Sequence, residues 1–192
     1  MSESELLTGE PLVLDLVNTR PVEGGCRKDL LATPEQLAAW LALQAHRLPE
    51  GLAEEMPDEA VLAPVRAVRQ DAETAVRALL DGHAPPTAAL RRLTEAQRAA
   101  PPVRALHWDG ATVTADERRE GPLGVRIAAL LAEAAADLLT DPVALGRLKQ
   151  CEADACVMLF LPAHPRRRWC SPTRCGNRAR VARYYERHRA DD

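Results

Sequence analysis

Hydrophobic positions keep a helical spacing over most of the chain and switch to alternation in a few short places. Between residues 58 and 81, Val61, Leu62, Val65, Val68, Ala72, Val76, Leu79 and Leu80 recur every three or four residues, which predicts an amphipathic helix stopped by Gly82. Pro64 lies inside that pattern and marks either its true start or a kink. Thr33-Pro34-Glu35-Gln36 supplies an N-cap, a proline at the first helical position and a Gln two positions on, so a second helix opens there with Leu37, Trp40 and Leu41 on one face. A shorter helix, PTAALRRLTEAQRAA, follows a proline pair. A further one covers GPLGVRIAALLAEAAADLLTD, with Ile127, Leu130, Leu131, Ala134 and Leu138 facing inward.

The remaining segments read differently. Val13, Leu14, Leu16 and Val17 crowd together ahead of Asn18-Thr19, which predicts a buried strand running into a turn. In VRALHWDGATVTAD, Asp109-Gly110 sits between two short alternating runs and predicts a hairpin with a type I′ turn. VMLFL and RRRW are short strand candidates joined by a proline-containing turn, and RARVARYYERHR reads as a helix. Trp40 and Trp108 are expected in the core.

Composition narrows the class. With 192 residues the chain can bury a core without covalent staples, and with few aromatics that core must be built from Leu, Ala and Val, which favours helices. No run of about 18 apolar residues occurs, and MSESELLTGE lacks the order of a signal peptide, so a cytoplasmic protein with no membrane partner is expected. The net charge of -3 hides a division: residues 1–150 hold 16 Lys and Arg against 23 Asp and Glu, whereas residues 151–192 hold 9 Arg against 5 acids. An acidic body joined to a basic end suggests two modules with different partners, the basic one suited to a polyanion.

That basic end also concentrates the cysteines. Of five, Cys151, Cys156, Cys170 and Cys175 fall in the order C-x4-C-x13-C-x4-C. Two closely spaced pairs separated by enough chain for a hairpin are what a tetrahedral zinc ion with bonds of about 2.3 Å requires, and in a reducing compartment such spacing points to metal before disulfides. A redox dithiol or a coincidence of spacing remains the alternative. Four thiolates leave no open coordination position, so the zinc, one per chain, is expected to be structural, and metal binding would supply much of the folding free energy of so small a module. His164 is either a spare ligand or a turn histidine. Cys26, with Arg27 and Lys28 beside it, reads as an isolated small thiol.

Cys175-Gly176-Asn177-Arg178, preceded by RRRWC and by C-x4-C with LFL, resembles the CGNR zinc finger; LDLVNTR with TPEQLAAWL resembles the ABATE domain that precedes that finger in a bacterial family. The resemblance implies a transcriptional regulator, often described as stress-induced, whose finger binds DNA and whose four zinc ligands map onto Cys151, Cys156, Cys170 and Cys175. The chain departs from the family pattern at Pro162-Ala163-His164 and at Cys170-Ser171-Pro172. The expected fold class is therefore α+β. A mainly helical N-terminal domain with a small hairpin (1–145) precedes a treble-clef-like or ribbon-like four-cysteine zinc finger ending in a helix (146–192).

Candidate contacts follow from charge and placement. On a helix, Arg180, Arg183 and Arg187 share one stripe and Val181, Tyr184, Tyr185 and His188 another. The expectation packs the Tyr-Val face inward and presents the arginines to DNA, with Arg166, Arg167, Arg168 and Arg174 adding to the patch. Arg178 either joins them or offsets the formal charge of about -2 on a zinc centre held by four thiolates. Asn18, Thr19 and Arg20, at a strand-to-loop exit, are candidates for binding a small-molecule effector, against turn chemistry as the plainer reading. No nucleophile elbow, phosphate loop or paired His-Glu motif occurs and the histidines are scattered, so no enzyme is expected. A homodimer is expected because one finger buries little surface on DNA. The competing readings are a protein-interaction module and a small-molecule-binding protein without direct DNA contact.

Overall fold

The structure is a computed structural model that describes residues 6–49 and 51–189, with the side chains of 183 and 185–189 excepted. The segment expected to be a strand is a helix, α1 (Leu12–Val17), capped by Asn18. Val13, Leu14, Leu16 and Val17 are all buried. A short apolar run surrounded by protein carries no period that separates strand from helix. What selects the helix is Asp15, fully buried, whose carboxylate accepts from the amides of Gly9 and Glu10 at 3.0 and 3.1 Å and pairs with Arg47. Burial pushes the Asp15 carboxyl up, and the Arg47 hydrogen bond opposes the shift.

A two-residue ribbon, β1 (Val22–Glu23) and β2 (Cys26–Arg27), leads to α2 (Pro34–Gln44). The cap expected from sequence is present in full, since Thr33 accepts from the Gln36 amide while the Gln36 side chain accepts from Thr33. The long helix α3 (Glu59–Leu80) starts on Asp58, whose side chain accepts from the amides of Ala60 and Val61, and it passes through Pro64 without a break. Next come α4 (Thr87–Ala99), the hairpin β3 (Val103–Trp108) and β4 (Val113–Arg118), and α5 (Leu123–Leu139).

Helices α3, α4 and α5 pack on one another, and α1 lies against α3 and α5. Leu14, Leu16, Leu31, Leu37, Trp40, Ile127 and Leu131 fill the space between them. At the start of α5, Gly124 lets the two long helices approach backbone to backbone: a Cβ there would lie 2.9 Å from Val61 Cα and 3.4 Å from the carbonyl of Ala60, which Pro64 cannot satisfy. No helix among the described residues is long and apolar enough to cross a membrane.

Two expectations about the hairpin fail. Its strands pair from Val103 with Arg118 to Trp108 with Val113, so the connection is four residues and not a two-residue type I′ turn. Asp109 explains this, because its carboxylate accepts from the amides of Ala111 and Thr112 at 2.8 and 2.7 Å and holds the wider loop. Trp108 is 66% exposed and forms no part of the core.

Gly124→Ala is expected to lower unfolding stability by about 1–3 kcal/mol, because backbone and not a flexible side chain must give way. Urea titration followed by circular dichroism measures it; an unchanged midpoint would contradict the close crossing.

Candidate metal centre

After the short helix α6 (Pro142–Arg147), β5 (Lys149–Gln150) pairs antiparallel with β6 (Leu159–Phe160), and the loop between them carries the first two cysteines. The Cys156 amide donates to Ala153 O at 3.0 Å, and Ala155, with φ at 54°, turns the loop back on itself. The segment RRRW, expected to pair with VMLFL, is not a strand; β6 takes β5 as its partner instead, and Arg168 contributes one carbonyl to the Glu152 amide at 3.0 Å. The second pair is set by a π-turn, Pro172–Gly176: Ser171 caps it by accepting from the Arg174 amide, and Gly176 N reaches back to Ser171 O at 3.0 Å. Helix α7 (Asn177–Arg189) continues from that turn. The cysteines therefore form a zinc-finger-like site that ends in a helix.

These two turns bring the four thiols within 4.8 Å of one another. Sulfur separations are 3.9 Å for Cys156–Cys170, 3.5 Å for Cys170–Cys175 and 3.7 Å for Cys175–Cys156. A tetrahedron with metal–sulfur bonds of about 2.3 Å has edges of about 3.8 Å, so the donor set fits one structural zinc ion. Proton chemistry agrees with the geometry. Hydrogen bonds from the Cys156 and Cys170 thiols pull Cys151 down to about 2, while Cys156 is pushed up to about 12 by its bond to Cys151, and Cys170 is also raised by Cys151 and Cys156. Crowded thiols cannot all ionise unaided; a dication lets them. Backbone N–H groups support the sulfurs, the Cys170 amide donating to Cys151 Sγ at 3.3 Å.

Comparison with known families meets this geometry directly. Residues 10–142 match a family model described as ABATE, "Putative stress-induced transcription regulator", and residues 147–188 match the CGNR zinc finger. The chain belongs to the ABATE family. No curated protein matches it.

Each residue of the finger's CGNR motif has a visible task. Cys175 is one of the four clustered thiols. Gly176 lies under the indole of Trp169, where a Cβ would come within 3.1 Å of the ring; lack of bulk, not a positive φ, requires glycine there. Asn177 accepts from Arg180 through its side chain. Arg178 donates to Cys175 Sγ at 3.6 Å and to Asp154 O at 3.1 Å, so it offsets thiolate charge and ties the second ligand pair to the first knuckle.

Other expected contacts are redistributed. Arg167 turns inward: it donates to Trp169 O, to Cys170 O and to the Glu10 carboxylate, and its guanidinium lies 4.4 Å from the Phe160 ring centre. Arg168 pairs with Glu152 but stays largely exposed, and Arg166 is exposed. His164 is a turn residue whose Nδ1 accepts from the Arg166 amide, outside the thiol cluster. Val181 and Tyr184, two of the four residues expected to face inward, are 54% and 52% exposed; Arg183, Tyr185, Arg187 and His188 have side chains outside the described residues. Cys26 is exposed on β2.

Asn18, Thr19 and Arg20 face the finger and α3, away from the cleft beside β4 and α5. The Asn18 side chain donates to Leu159 O at 2.8 Å and accepts from Leu159 N at 2.9 Å, pairing with β6 as a neighbouring strand would. Thr19 Oγ1 donates to Leu16 O and accepts from Arg69, which also pairs with Asp29. Arg20 bonds Gln70 and Glu73. Turn chemistry accounts for Thr19, and the pair of bonds to Leu159 for Asn18.

Two residues of this seam escape a reading of the sequence. The Glu10 carboxylate accepts from Leu161 N and from Arg167, and Arg77 donates to Val157 O and Gln150. Neither carries a local signal, since a lone acid or an arginine on a helix face reads as solvated until its distant partner is known. Packing follows the same seam: along β6 and the residue before it, Leu159 belongs to the helical core while Met158 and Phe160 belong to the finger's cluster, so one extended segment serves two cores on its alternate faces.

Asn18→Ala is expected to cost about 2–4 kcal/mol, since both polar groups of Leu159 would be left buried without partners. A thermal melt that does not shift would refute the seam. Stripping the metal with a chelator, or Cys175→Ser, is expected to lower the melting temperature and expose Trp169, read by its fluorescence; unchanged emission would argue against a structural ion.

Proposed function

We propose that this ABATE-family regulator binds DNA through its zinc-supported finger, with a boundary near residue 145 between an acidic helical domain and a basic tip. The observation that supports it is the state of α7. This helix leaves the metal centre, packs chiefly against the π-turn before it, and leaves Val181 and Tyr184 exposed while carrying Arg180. A helix rooted in a metal centre, with exposed side chains along its described part, can enter a groove. Arg167 and Arg178 are committed internally. The proposed contacts are therefore Arg166, Arg168, Arg174, Arg180, Arg183 and Arg187. Arg167 and Arg178, which bond the ligand loops, act by holding the shape that presents the others, of which Arg168 and Arg180 also bond Glu152 and Asn177.

For the helical domain we propose effector sensing and dimerisation. A surface cleft of about 1210 Å³ lies between residues 46–49 and 51–55, β4 and α5, with Arg47 among its walls. Arg47 pairs with Asp15 and donates to Glu10 O, and the Glu10 carboxylate holds the finger. A ligand that drew Arg47 aside would therefore act on the finger through one residue. No catalytic role is proposed for the cleft.

Fluorescence anisotropy with duplex DNA tests the main reading. Binding is expected to weaken by about 0.9 log unit per log unit of salt for each phosphate neutralised, and Arg180/Arg183/Arg187→Ala should flatten the slope by up to about three such contacts. If the triple variant or the chelated protein binds as the parent does, the proposal fails.

A further inference from the structure

A two-stranded ribbon does not hold itself together in water, yet the hairpin of β3 and β4 packs mainly on itself, with residues 115–119 along the cleft beside α5. Its two faces differ. On one, His107 and Arg118 both bond Asp116, at 3.3 and 3.9 Å, beside Thr114, with Val103 as its one large apolar side chain. On the other, the cross-strand pairs are Trp108 with Val113, Leu106 with Ala115 and Arg104 with Glu117. There Leu106, Trp108 and Val113 are 71%, 66% and 64% exposed. Three large apolar side chains in one exposed cluster are a surface that water disfavours, and such patches mark interfaces.

The pattern within that face selects the partner. Every bulky member of a pair stands on β3 (Trp108, Leu106, Arg104) and every smaller one on β4 (Val113, Ala115, Glu117), so the face is a ridge beside a trough. A two-fold axis lying between two such faces, along the strand direction, sets β3 of each copy over β4 of the other. Trp108 then meets Val113 of the partner, Leu106 meets Ala115, and Arg104 meets Glu117. Large fits small along the whole face, and opposite charges meet at its base. That self-complementarity is what an isologous interface requires. Within one chain Glu117 is engaged by Arg119 at 3.2 Å, while Arg104 makes no ion pair among the described residues.

We infer that the chain forms a symmetric dimer by packing this hairpin face against the same face of a second copy, which deepens the dimeric reading above by giving it a surface. One tryptophan brings about 150–250 Å², and the whole face provides on the order of half the ~800 Å² per partner of a standard interface. The dimer is accordingly a weak one, with dissociation in the micromolar range. DNA carrying two adjacent sites would reinforce it.

Analytical ultracentrifugation of the zinc-loaded full chain tests the inference. The parent should self-associate at concentrations above the micromolar range, and Trp108→Glu should be monomeric with an unchanged far-UV spectrum. Arg104→Glu alone and Glu117→Arg alone should each be monomeric, because each lines both sides of the interface with one sign of charge. An equimolar mixture of the two should recover a one-to-one heterodimer. Mixing cannot repair a pair within a chain, so recovery reports contact between chains. A parent that stays monomeric, a dimer that survives Trp108→Glu, or a mixture that fails to associate overturns the inference. Sedimentation of the parent without DNA keeps this outcome separate from any failure of the finger to bind DNA.

Discussion

Residues 157–161 run between the cysteine cluster and the helical body, and both of their sides are taken. Met158 and Phe160 pack beneath the thiols, Leu159 enters the helical core, and the intervening backbone is bonded by Asn18, Glu10 and Arg77. The finger's own cluster is small, six buried residues of which three are cysteines, so the finger cannot stand on hydrophobic burial alone. It needs the cation on one side and the helices on the other. The two family segments abut in sequence and share a strand in space.

Charge follows the same logic. Four thiolates around a dication leave an excess of negative charge, and the arginines nearest the site answer it from inside the fold: Arg178 on Cys175 Sγ, Arg167 on the Cys170 carbonyl. Basic residues therefore divide by partner: Arg167 and Arg178 bond the ligand loops, whereas Arg166 and Arg168 keep exposed side chains. Net charge alone does not separate the two groups.

Legibility in the sequence tracks the range of the physics involved. The helices α2, α3, α4 and α5 are readable because caps and apolar period are local: Thr33 and Gln36 close their box within four residues, and the α3 stripe needs no knowledge of its neighbours. The cysteine tetrad is readable because zinc imposes spacing. Residues 12–17 mislead because a segment buried on all sides loses its period, and the loop at Asp109 because a side chain bonding two amides outweighs the Asp-Gly preference. Trp108 misleads because hydrophobicity predicts burial in something, not burial in the same chain. Glu10 and Arg77 are invisible, their partners lying 151 and 80 residues away.

The bond between Asn18 and Leu159 joins a side chain to a main chain. Only one of the two positions is thereby fixed in identity. Any apolar residue at 159 offers the same amide and carbonyl, whereas almost nothing but an amide side chain can supply donor and acceptor together at 18. Divergence among descendants of this chain would consequently be lopsided: drift tolerated in the tip, and near immobility at a single asparagine in the body that grips it.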